Sequence, residues 1–98
     1  MYVVFVEYMI FSNRIEDYLA YITRIKQNNP TMDLLESADQ AGLFVEIWRE
    51  VSDEDFITMK QERTEAANSA YAAVLNEMLD NKKPIQMWKF SPKNLNVI

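Results

Sequence analysis

Tyr2-Val3-Val4-Phe5-Val6-Glu7-Tyr8-Met9-Ile10-Phe11 is the stretch on which the fold turns. β-Branched or aromatic residues fill nearly every place, and the run is apolar on both parities except at Glu7. That is the pattern of a strand covered on both faces. Residues Leu43 to Val51 repeat it: Leu43, Val45 and Ile47 lie on one parity, and Phe44, Glu46, Trp48 and Glu50 on the other. A second central strand is expected there.

The segments between these strands read as helices and edge strands. Asn13 offers a helix cap with Glu16 in capping-box spacing, and Ile15, Tyr18, Leu19, Ile22 and Ile25 form one apolar stripe that Asn28, Asn29 and Pro30 stop. Met32 to Ala38 is a shorter, more polar strand, followed by a turn holding Gly42, the sole glycine. Ser52 caps a second helix whose first turn, Asp53-Glu54-Asp55, is acidic as the helix dipole favours. The helix runs through Phe56, Met59, Arg63, Ala67, Ala70, Val74 and Met78 to Asp80, with a kink expected near Thr64 to Asn68 where the stripe thins to alanine. Lys82, Lys83 and Pro84 end it, and Ile85 to Phe90 forms a last strand. Residues 1–98 read as a single domain.

The order βαββαβ predicts an α+β, ferredoxin-like fold: a four-stranded antiparallel sheet with the first and third strands central and both helices on one face. With Leu43, Val45 and Ile47 under the helices, Phe44, Glu46 and Trp48 are expected to look outward with Phe5, Trp88 and Phe90. Such an aromatic patch marks an interface or a ligand site, and two sheets face to face would cover each other. A homodimer is therefore expected. The short tail carrying Leu95, Val97 and Ile98 is expected to dock on a neighbour.

Composition excludes several classes of function. The chain has 98 residues, net charge -5 and no Lys/Arg stripe, so nucleic acid is not an expected partner. With no Cys and no His it has no disulfide, thiolate nucleophile, ordinary zinc site, His-ligated haem or imidazole triad. Neither metal nor cofactor is expected. The apolar start lacks the flanks of a signal peptide, and no apolar run approaches the roughly 20 residues that cross a bilayer, so the expected place is the cytoplasm and not a membrane.

The first strand, the Tyr- and Ala-rich helix Ser52 to Asp80 and the ending Gln86-Met87-Trp88-Lys89-Phe90 resemble the dimeric α+β barrel superfamily, which includes antibiotic biosynthesis monooxygenase-like and stress-responsive barrel proteins. The resemblance spans nearly the whole chain and is one of pattern. It implies a barrel built from the sheets of two subunits and, in each, a pocket between sheet and helices for small apolar or aromatic molecules. Some relatives oxidise quinol-like aromatics without a cofactor. The lack of His departs from the haem-binding kind and from pockets that use a histidine.

Candidate site residues follow from the polar exceptions. Glu7 and Glu46 sit in neighbouring apolar strands, where two carboxylates sharing a partly buried site would supply a general base. Their alternative is to face solvent or to pair with Arg49, Lys89 or a cation of a partner chain. Phe5, Phe44, Trp48 and Trp88 line either a pocket for a flat ligand or a dimer interface. Arg63, with Lys60, could receive an anion or simply pair on a solvated helix face with Glu62 and Glu65. Tyr8, Tyr18, Tyr21 and Tyr71 are open in the same way, with Tyr18 and Tyr71 placed in the core. The remaining choice is between a small-molecule-binding dimer, extending to cofactor-free monooxygenase-like chemistry, and a non-enzymatic interaction or regulatory module.

Overall fold

The computed structural model describes residues 1–64, 70–80 and 83–96. In chain order it forms β1 (Tyr2–Met9), a 3-10 turn (Ser12–Arg14), α1 (Ile15–Asn28), β2 (Asp33–Glu36), β3 (Leu43–Val51), α2 (Asp53–Thr64), α3 (Ala70–Met78) and β4 (Gln86–Phe90). The strands make one antiparallel sheet in the order β2-β3-β1-β4. This is a small α+β fold compatible with the ferredoxin-like type. Among the described residues, no helix is long and apolar enough to cross a membrane.

Local chemistry sets the helix ends. The Asp55 backbone N–H donates to Ser52 Oγ at 3.0 Å, so Ser52 satisfies a donor that the first turn of α2 leaves open. Asn13 does not cap α1, which starts at Ile15 without a side-chain cap. Arg14 instead ties this corner, donating from Nε to Asp17 at 3.0 Å and from Nη1 to the Glu77 carbonyl at 3.2 Å. The expected kink lies largely at residues 65–69, outside the described residues, as do Glu65, Ala67, Lys82, Val97, Ile98 and the side chain of Tyr71. Leu95 is 81% exposed on a stretch without regular structure.

The core lies between the sheet and the helices. Val4, Val6, Tyr8 and Ile10 of β1 and its extension meet Phe44 of β3, Tyr18 and Ile22 of α1, and Leu75 and Met78 of α3. Leu19, expected in the stripe of α1, is 42% exposed. Gly42 takes φ +88° and a Cβ there would stand 2.8 Å from the Ile10 carbonyl oxygen, so the turn into β3 needs glycine on both counts.

The parity of β3 is the reverse of the sequence expectation. Phe44 and Glu46 are buried against the helices, Trp48 packs with them, and Leu43, Val45 and Ile47 face the open side of the sheet. Both parities of β3 are apolar, so alternation could not choose the face. The choice agrees with its partners: Tyr8 and Trp48 share the face of Glu46 within the sheet, and on the inner side α2 adds the Arg63 guanidinium.

Near its end β3 carries a bulge. Tyr2 pairs with Val51 and Val4 with Trp48, leaving Val3 opposite both Arg49 and Glu50. The extra residue switches parity, so Val51 returns to the buried side that Trp48 occupied three residues earlier. Glu50 takes φ 56°, which costs a non-glycine residue about 1–2 kcal/mol. Allowing for the entropy that glycine loses on folding, Glu50→Gly is expected to raise stability by about 0.5–1 kcal/mol. Urea unfolding should show a higher midpoint with an unchanged slope.

Candidate functional site

A charged cluster is enclosed between sheet and helices. Glu46 of β3 is 0% exposed, and Arg63, which the acidic neighbours Glu62 and Glu65 place on a solvated helix face in the sequence reading, is 4% exposed. Arg63 Nη2 donates to Glu46 Oε1 at 2.8 Å, and Trp48 Nε1 donates to the same oxygen at 2.7 Å. The other oxygen, Oε2, accepts the Tyr8 hydroxyl at 2.5 Å. The Tyr8 proton is thereby committed, so the contact of 2.6 Å between the Tyr8 and Tyr18 hydroxyls has Tyr18 as donor. Protons thus point in one direction, from α1 through β1 to the carboxylate on β3. The Arg63 guanidinium also lies 5.6 Å from the centre of the Trp48 ring.

This is how a carboxylate survives burial. Removing it from water costs several kcal/mol, which a paired cation and charge-assisted hydrogen bonds offset. Both Glu46 oxygens are engaged by chain residues, so Glu46 is an anchor for Tyr8, Trp48 and Arg63. Burial also pushes the Tyr18 phenol well above its ordinary value of 10.0; the Tyr8 hydroxyl opposes the shift and the Glu46 charge adds to it.

A pH dependence follows with a definite sign. The unfolded chain releases this proton near pH 10 while the folded chain retains it, so the contribution of Tyr18 is full below about pH 10 and is lost as pH rises above it. The wild type should therefore lose stability faster than Tyr18→Phe above pH 10, by up to about 1.4 kcal/mol per pH unit. Parallel unfolding curves for the two proteins from pH 8 to 11 measure the difference.

The structure separates the two carboxylates read from the sequence. Val6 pairs with Glu46 and Glu7 with Val45, so Glu7 and Glu46 emerge on opposite faces and share no site. Their strands are neighbours, but a one-residue offset changes the face. Phe5 and Trp88 are cross-strand partners on the open face with Glu7, and Phe5 meets Phe90 edge-on at 5.3 Å. Phe44 belongs to the other side, its ring 4.6 Å from that of Tyr18. The candidates therefore divide into an open-face group, Phe5, Glu7 and Trp88, and an inner group, Phe44, Glu46, Trp48 and Arg63.

Tyr8 and Tyr18 complete the inner group: the sequence leaves Tyr8 open between pocket and interface and places Tyr18 in the core, and neither reading joins them to Glu46. One signal was present: Arg63 is the lone cation in the apolar stripe of its helix, and Glu46 is an anion flanked on both sides by the apolar residues of its strand, Phe44-Val45 and Ile47-Trp48. Two such exceptions imply each other, because a buried charge needs a counter-charge.

Two clefts flank the cluster. One, of about 320 Å³, is walled by Trp48, Arg49, Glu50, Asp55, Met59 and Glu62. The other, of about 240 Å³, is walled by Arg63, Asn76, Leu79, Lys83, Pro84 and Ile85. Trp48 and Arg63, which bond the same Glu46 oxygen, thus each line a different cleft. Among the described residues, no group of three or more His, Cys, Asp or Glu is arranged to hold a metal ion. Comparison with known proteins finds no matching family model, no matching curated protein and no matching solved structure.

Proposed function

We propose that this chain acts as a homodimer of the dimeric α+β barrel kind, two sheets packed face to face, holding a small organic molecule between sheet and helices. The observation that carries the reading is the open face of the sheet. Val3, Phe5 and Met9 of β1, Leu43, Val45 and Ile47 of β3, and Leu35, Trp88 and Phe90 of the edge strands all belong to it by register. Leu35, Trp88 and Phe90 are 55%, 42% and 51% exposed. A mainly apolar surface spanning four strands, with Glu7 and Asp33 as its charged members by register, is costly in water, and a second copy covers it with a surface of the same shape and chemistry. The clefts beside the Glu46–Arg63 pair support the ligand half of the reading.

A second reading, a homodimeric interaction module without chemistry, is favoured by the saturation of Glu46: a carboxylate that already accepts bonds on both oxygens is poorly placed to take a proton from a substrate. Light scattering combined with intact-complex mass spectrometry on natively purified protein tests both. Twice the chain mass of 11.5 kDa with a retained small molecule is the expected result. A dimer with nothing bound would favour the interaction module, and a monomer would overturn the assembly.

A further inference from the structure

We propose that the cleft of about 240 Å³ between the end of α2, α3 and the approach to β4 binds the carboxylate of a small organic acid, with Lys83 as its counter-charge. This rests on the small-molecule reading above and names its ligand class. The walls differ in kind: Leu79, Pro84 and Ile85 are apolar, while Thr64, Asn76, Arg63 and Lys83 bring polar and cationic groups to the same space. No acidic residue is among these lining residues.

The charges facing the cleft decide the sign of the ligand. Arg63 is matched by Glu46 at 2.8 Å and has Glu62 at 3.9 Å, so its own charge is already balanced. Among the described residues, Lys83 takes part in no ion pair. Among the described residues, an entering anion therefore meets one ammonium outside any ion pair, with the Asn76 amide lining the same cleft, which suits a single negative charge better than a phosphate dianion. A volume below the roughly 300–1,000 Å³ of drug-sized pockets restricts the apolar body to about one ring or a short branched chain.

The probe is benzoate, compared with benzamide and benzylamine by amide chemical shifts of the whole chain. Saturable benzoate shifts centred on Asn76, Lys83 and Ile85, with no response to benzylamine and at least tenfold weaker binding in Lys83→Gln, are the expected result, since a bond to a charged partner is worth tenfold or more in affinity. Lys83 is exposed, so this variant keeps the core intact. Equal binding of benzamide, undiminished binding by Lys83→Gln, or shifts centred elsewhere would overturn the carboxylate site. If none of the three probes binds, the inference also falls, and a molecule retained by the native protein would show that the small-molecule reading survives it.

Discussion

Arg63→Met should lower the free energy of unfolding by about 3–5 kcal/mol, because it leaves the Glu46 carboxylate buried with its hydroxyl and indole donors but without its cation. Domains of this kind are held by about 5–15 kcal/mol, so the loss is a large share of the total. The cause is the stranded charge and not the lost attraction alone. The double variant Glu46→Leu, Arg63→Met should recover part of the loss, since it removes the stranded charge but leaves the Tyr8 hydroxyl and the Trp48 indole without their acceptor. Urea unfolding of the two variants decides it. An Arg63→Met protein as stable as the wild type would show that the carboxylate is rehydrated at little cost.

Ile47→Glu combined with Trp88→Glu should convert the proposed dimer to a monomer, raising its dissociation constant at least a hundredfold. Both positions lie in one row across the open face, separated by Phe5, and a two-fold axis would present each new carboxylate twice. Like charges brought together and desolvated cost several kcal/mol, and each 1.4 kcal/mol is tenfold in affinity. Neither side chain belongs to the buried core, so the single chain should keep its circular dichroism while light scattering reports half the mass. A variant still dimeric would place the interface elsewhere, on a sheet edge or a helix.

The elements themselves were legible because their signals are local. Apolar strand runs, the Ser52 cap with its acidic first turn, and the Asn28-Asn29-Pro30 stop are short-range chemistry, and each appears where the residues imply it. Asn13 fails as a cap for an equally local reason, since the 3-10 turn carries the chain past it and Arg14 makes the corner bonds instead. The candidate site was half legible. Glu46, Trp48 and Arg63 stood out as residues, but their meeting depends on a contact between positions 17 residues apart, and Tyr8 and Tyr18 looked like any aromatic residues on apolar stripes.

By itself, then, the amino-acid sequence determined the α+β class, the order of elements and the presence of lone charges that demand partners. Only the tertiary structure decided which side of the sheet those charges occupy. The reason lies in the pleat: β1 and β3 are apolar on both parities, so alternation assigns residues to two faces without saying which face meets the helices. Placing Glu46 inward, where Tyr8, Trp48 and Arg63 satisfy it, turns Glu7 and a row of apolar side chains outward on the opposite face.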